Sequence, residues 1–174
     1  MKENELLGGS KPIIHLFVDS GYRKAGVAAF EATYLLWAKT AGFHTQDKLV
    51  GYLTGVVEYY VLWGYDVVLV FEKMVKRDNA DDKYDNLDKV EDTVAKVTKA
   101  TKAWTNKPYR VVPEMWKRQV PKDVCQIRAL RELSVAEVSS LRDRGHDTWD
   151  AVGIGLVFLK RLGPGLVRRR PDGA

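Results

Sequence analysis

The stretch PIIHLFVDSGYRKAGVAAF, residues 12–30, decides the fold. Its first part is a short apolar run rich in β-branched residues that ends at Asp19, a pattern typical of a buried strand. Residues 26–30 form a second run after a glycine-containing turn, and residues 34–38 form a third. Three strands joined by short turns predict an antiparallel meander at the start of the chain.

After the meander, helical and strand patterns alternate. Thr45 is a suitable N-cap for a helix whose apolar residues recur at helical spacing over residues 49–61, and Gly64 can end it. The run DVVLVFE, residues 66–72, predicts a central strand buried on both faces. A helix that leads directly into such a strand, with Glu58 inside it, indicates an α/β layer and not a membrane span.

The second half of the chain adds three helices and a strand. We predict a helix over residues 87–104, a strand at YRVVP (109–113) and a short helix that begins with a Ser134–Glu137 capping box. The last helix is expected over residues 147–162, and it is apolar almost all round, so it should be buried.

Length and composition indicate one intracellular domain. The 174 residues carry a formal net charge of +5, which permits a polyanionic partner, and the single cysteine, Cys125, excludes an intrachain disulfide. The N-terminus lacks the apolar core of a secretory signal, and no membrane partner is expected. We predict one domain, residues 12–163, between flexible tails at 1–11 and 164–174. We expect it in the cytoplasm, of a bacterium or of a host if a phage encodes it.

Four carboxylates occupy unusual places. Asp19 and Glu72 each close an apolar strand, and Asp147 and Asp150 are three apart, on one side of the last helix. Each alone has an ordinary explanation: strand-end acids often meet solvent, and aspartate is a favoured N-cap. Together they predict a site for Mg²⁺ or Mn²⁺, which prefer carboxylate oxygens. Two such ions support hydrolysis of a phosphodiester.

These motifs resemble the RuvC-like Holliday junction resolvases. DSGYRKAGVAAF is similar to the family's first-strand motif at Asp19, Gly21, Lys24 and Gly26, and Glu72 matches its glutamate at the end of the fourth strand. HDTWDAVGIGL is similar to its C-terminal helix. The resemblance implies an RNase H-like fold: a mixed five-stranded sheet, an antiparallel meander followed by parallel strands, flanked by helices.

The resemblance also implies an activity. It implies an endonuclease that resolves four-way DNA junctions as a homodimer, with two Mg²⁺ or Mn²⁺ ions per site and products ending in 5′-phosphate and 3′-hydroxyl. Asp19 would bridge the ions, and Glu72, Asp147 and Asp150 would complete the site. A basic residue near the scissile phosphate is assigned to Lys117, with Arg118 as the alternative. His146, beside the acid pair, is a second-tier candidate.

The segment from residue 89 to residue 122 concentrates positive charge. It holds nine Lys or Arg against three acids, a balance of +6 that exceeds the +5 of the whole chain. A lysine-rich helix face is as compatible with plain solvation as with phosphate binding, and Trp116 could stack on a base or pack in the core. The residues assigned to nucleic-acid contacts are Lys24, Met74, Lys76, Arg77, Lys99, Lys102, Trp116, Arg118 and Lys122.

Two other functions stay open at this point. An RNase H-fold nuclease could act on other branched DNA, on an RNA–DNA hybrid or on a ribosomal RNA precursor with the same acids. A non-catalytic junction-binding protein could keep the fold. The complete acid set argues against this second option, because a chain without metal would gain stability by losing buried carboxylates.

Overall fold

The meander forms as predicted. A computed structural model describes residues 10–73, 87–116 and 121–162. The strands are β1 (Ile13–Ser20), β2 (Lys24–Glu31), β3 (Tyr34–Gly42), β4 (Asp66–Glu72) and β5 (Tyr109–Val111). The helices are α1 (Gln46–Leu62), α2 (Leu87–Thr101), α3 (Pro113–Trp116), α4 (Lys122–Glu132), α5 (Val135–Ser139) and α6 (His146–Phe158). The predicted tails lie outside the described residues, except for residues 10 and 11.

The five strands form one mixed sheet in the order β3-β2-β1-β4-β5. The pairs β1–β2 and β2–β3 are antiparallel, whereas β4 runs parallel to both β1 and β5. The predicted RNase H-like architecture, an antiparallel meander followed by parallel strands, is confirmed. Because β1 and β4 are adjacent and parallel, their carboxyl ends meet at one edge of the sheet.

Alternate residues of each strand enter two separate cores. On one face, Leu16 and Val18 of β1 pack with Leu49 and Val57 of α1. On the other face, Phe17 and Val70 pack with residues of α6, which is buried over most of its length as predicted. The helix α4 packs on α6. The side of the sheet on which a residue lies therefore follows from its place in the strand.

Several helix boundaries differ from the expectation. The helix α2 ends at Thr101 instead of residue 104, and α6 ends at Phe158 because Lys160 adopts a positive φ of 60° that terminates the helix. Gly145, not Asp147, occupies the N-cap of α6. The Ser134–Glu137 capping box is confirmed, whereas α4 was not predicted.

The apolar stretch 49–70 divides into α1 and β4. Across the described ranges, no helix combines the length and the apolar character that crossing a bilayer requires.

Candidate active site

Two acids, Asp19 and Glu72, lie side by side at the ends of neighbouring strands. In the parallel pairing of β1 with β4, Val18 lies opposite Phe71, so Asp19 and Glu72 are the next residues at the ends of neighbouring strands. The preceding residues, Val18 and Phe71, pack on the face that α1 covers. Because side chains alternate along a strand, Asp19 and Glu72 point toward the opposite face, which α6 covers. The strand-end acids therefore share one edge and one face.

Gly26 brings the helical acids to the same place. It lies opposite Asp19 in the antiparallel pair, and a Cβ atom built on it would lie 1.7 Å from the carbonyl oxygen of Asp147. The first turn of α6 thus rests directly on β2, which only a glycine permits. This contact explains the second glycine of the motif, because it sets Asp147 and Asp150 beside the strand ends.

The four carboxyl groups interact electrostatically. Burial raises the pKa of Asp19 well above its usual range, and Glu72, then Asp150 and Asp147, raise it further by like-charge repulsion and by a hydrogen bond with Glu72. Glu72 and Asp150 are themselves buried, with 6% and 7% of their surface exposed. Carboxylates crowded in this way create a local excess of negative charge that a cation would relieve.

Neighbouring side chains contact Glu72 and Asp147. The carboxylate of Glu72 accepts a hydrogen bond from Nε1 of Trp116 at 3.1 Å, and Asp147 pairs with Nζ of Lys24 at 2.7 Å. Within residues 10–73, 87–116 and 121–162, no three acidic, histidine or cysteine side chains lie close enough together to hold a metal ion. The donor set still fits divalent cations, since it offers only oxygen ligands in a partly buried site of excess negative charge.

The fold has solved counterparts. "T. thermophilus RuvC in complex with Holliday junction substrate" aligns with a TM-score of 0.60 and 16% identity over 82% of this chain and 90% of that one. "Thermus thermophilus RuvC structure" aligns with a TM-score of 0.57 and 16% identity over 82% and 91%. The chain has a RuvC-like fold. No protein-family model and no curated protein matches the sequence.

Within this RuvC-like fold, Trp116 does not bind a base. Its side chain is fully buried, so the expectation that it stacks on a nucleobase is wrong. Trp116 instead supports Glu72 through its indole N–H, as a buried tryptophan usually finds a partner for this group. No local sequence signal connects Trp116 with Glu72, because the two residues are 44 positions apart.

Lys99 and Lys102 lie at the end of the sheet opposite to the acids. Lys99 is in the last turn of α2, and Lys102 lies beside Ile13 and Asp66, the first residues of β1 and β4. The length of β1 separates this edge from Asp19 by about 20 Å. Lys99 and Lys102 therefore cannot contact a phosphate held at the carboxylates, because α2 runs antiparallel to the strand that precedes it.

The structure describes only some of the remaining predicted residues. Lys24 lies at the acids, and His146 is an exposed residue that begins α6. The side chain of Lys122, at the start of α4, is not among the parts that the structure describes. Met74, Lys76, Arg77, Lys117 and Arg118 lie outside the described residues.

A hydrogen-bond network around Asp143 was not predicted. The carboxylate of Asp143 accepts bonds from the backbone N–H of Thr40, from the N–H of Gly145 at 2.9 Å and from the hydroxyl of Thr148. Burial alone would raise the pKa of Asp143, but these hydrogen bonds outweigh it and lower the pKa. The network joins β3 to the start of α6 and so holds Asp147 in place.

Replacing Asp143 with asparagine should weaken this attachment. The amide keeps one acceptor oxygen and presents an NH₂ group to the donors, so we expect the free energy of unfolding to fall by about 1–3 kcal/mol. Urea unfolding measures this loss. Asp123→Asn, the same change at an exposed position in the first turn of α4, is the control and should lose only the interaction of a first-turn acid with the helix dipole, less than about 1 kcal/mol. Equal stability of the two variants would contradict the structural role of Asp143.

Proposed function

We propose that this protein is a metal-dependent endonuclease that resolves four-way DNA junctions. One observation carries the proposal: Asp19, Glu72, Asp147 and Asp150 converge at one edge of an RNase H-like sheet, where burial and the other three carboxyl groups raise the pKa of Asp19. A RuvC of the same fold has been solved in complex with a Holliday junction substrate, which supports the choice of substrate class.

In this proposal the four carboxylates would hold two Mg²⁺ or Mn²⁺ ions. When bound, such ions activate a water molecule and stabilise the departing oxygen of a phosphodiester. Trp116 orients Glu72 through its hydrogen bond, and the first turn of α6, seated on Gly26, keeps Asp147 and Asp150 beside Asp19. Lys24 neutralises Asp147 and is exposed enough to contact a phosphate at the same edge.

The proposal extends to the reaction's outcome and to the assembly. The products would carry 5′-phosphate and 3′-hydroxyl ends. A homodimer would cut two symmetric strands of one junction. Lys117, assigned to the scissile phosphate, stays a prediction.

The test is a cleavage panel. Purified protein is incubated with labelled four-way junction, duplex, flap and RNA–DNA hybrid, with Mg²⁺, with Mn²⁺ or with EDTA. We expect paired symmetric nicks in the junction that require metal and are lost in Asp19→Asn. Asp66→Asn is the matched control, because Asp66 begins β4 at the opposite edge of the sheet and its variant should cut normally.

The other functions predict different results in the same panel. Cleavage of the flap or hybrid and not of the junction would keep the metal site but reject the substrate. Junction binding without cleavage of anything, under every metal condition, would reject the nuclease in favour of a binding protein.

A further inference from the structure

A groove of about 730 Å³ opens between α1 and the edge strand β3. Its walls carry four aromatic rings and two cations, namely Trp37, Tyr52, Tyr59, Tyr60, Lys39 and Arg142. Among the described residues that line it, none is acidic. The groove therefore combines aromatic surface with positive charge, and the active-site acids do not contribute to it.

The two cations lie over aromatic rings. Nζ of Lys39 is 4.5 Å from the ring centroid of Tyr52, and Cζ of Arg142 is 5.3 Å from that of Trp37. A ring face attracts a cation without neutralising it. The groove thus presents positive charge at fixed points, and the indole of Trp37 is held in turn by a 2.8 Å hydrogen bond to the hydroxyl of Tyr60.

The wall of the groove that α1 forms has no side chain at two positions. Gly51 and Gly55 lie one turn apart on α1, and a Cβ atom added to either would meet no atom within 4 Å. Glycine is less favourable than alanine inside a helix, and no neighbouring atom of the described chain requires it at these two positions. A helix without side chains at these positions allows another molecule to approach its backbone closely.

The groove begins near the catalytic edge. In the sheet register Asp19 lies opposite Gly26, and Gly26 lies opposite Thr40, which places Thr40 about 10 Å from Asp19. Lys39 precedes Thr40 and points to the other face of the sheet, where it contacts Tyr52 of α1. From Tyr52, α1 continues for seven residues, or about 10 Å, to Tyr59, whose side chain is 55% exposed. Because β3 runs parallel to β1, a nucleic-acid strand held at the acids can pass over the carboxyl end of β3 and follow α1.

We propose that this groove binds single-stranded nucleic acid, with phosphates at Lys39 and Arg142 and a base stacked on Tyr59. The inference rests on the proposed function, since it describes the path of a strand that leaves the cleavage site. A positively charged groove with aromatic platforms is the arrangement that single strands require. The volume of the groove lies within the range of about 300–1,000 Å³ that is typical of pockets for small ligands. The groove therefore admits one or two nucleotides but no duplex.

The test measures binding of a fluorescent single-stranded oligonucleotide by anisotropy, in EDTA, with the full chain. Tyr59→Ala removes the platform, and Gly55→Leu fills the groove where a side chain meets no protein atom. We expect each to weaken binding about tenfold. Tyr109→Ala, at a tyrosine that is also 55% exposed but lies in β5, is the matched control and should bind as the wild type does.

A charge variant tests the phosphate contacts separately. Lys39→Gln with Arg142→Gln should weaken binding and lower the slope of log affinity against log salt by about 1.4, as loss of two contacts to a single strand requires. Lys99→Gln with Lys102→Gln removes the same charge at the opposite edge and should leave the slope unchanged.

Two results would overturn the inference. One is equal affinity of the wild type and all groove variants. The other is conversion of a dimer to a monomer by Gly55→Leu, seen by light scattering, with unchanged oligonucleotide affinity, which would assign the groove to a second copy of the chain. Because EDTA prevents metal-dependent cleavage, neither result depends on whether the protein is a nuclease, which the cleavage panel decides.

Discussion

In the proposed nuclease, Gly26→Ala should reduce cleavage by at least about a hundredfold and also destabilise the fold. The added methyl group would lie 1.7 Å from the carbonyl oxygen of Asp147, so either β2 or the first turn of α6 must move by more than 1 Å. Such a displacement of catalytic groups costs about a hundredfold in rate. Overpacking at a rigid contact costs about 1–3 kcal/mol of unfolding free energy. Rates with saturating metal and urea unfolding measure the two effects.

Gly42→Ala is the control for this prediction. Gly42 lies in the next strand, opposite Lys24, and its added Cβ would be 3.9 Å from the nearest side-chain atom, an ordinary contact. We expect normal cleavage and near-normal stability. Circular dichroism at the assay temperature is the test of whether Gly26→Ala is folded. A folded Gly26→Ala protein that cuts at the wild-type rate would show that the contact between β2 and α6 does not position the acids.

The strands and the acids at their ends were predictable because their signals are local. An apolar run that stops at Asp19 or Glu72 records burial along one strand, and the spacing of Asp147 and Asp150 records one turn of helix. Parallel pairing of two such strands then brings their ends together with no further information. The fold and the four acids could therefore be predicted from short stretches of sequence.

The supporting contacts were not predictable, because each joins distant parts of the chain. Trp116 has two ordinary fates, exposure on a binding surface or burial, and only the packing of α6 selects the second. Lys99 and Lys102 belong to a basic segment whose charge is visible in the sequence, but the direction of α2 decides which edge of the sheet receives them. The number of charges in a segment does not determine at which edge of the sheet those charges lie.

Glu137→Gln should lower the free energy of unfolding by about 3 kcal/mol near neutral pH. The Glu137 carboxylate is 2% exposed, and it accepts hydrogen bonds from the backbone N–H groups of Leu35 and Ser134, both at 2.8 Å, and from the guanidinium of Arg161. Burial alone would raise the pKa of Glu137, but Arg161 and these donors lower it to about 2, from an ordinary value of 4.5. A shift of this size corresponds to about 3 kcal/mol.

The same shift determines how the loss depends on pH. Because the pKa of Glu137 is lower in the folded protein, the stabilisation is complete above about pH 4.5 and disappears as the pH falls toward 2. Urea unfolding of the wild type and the variant should therefore differ most at neutral pH and converge in acid. Glu132→Gln is the control, since the exposed Glu132 contributes its backbone carbonyl to Arg161, which the substitution keeps. A difference between wild type and Glu137→Gln that stays constant from pH 7 to pH 2.5 would mean that packing, not the ionised carboxylate, joins α5 to β3 and to the end of α6.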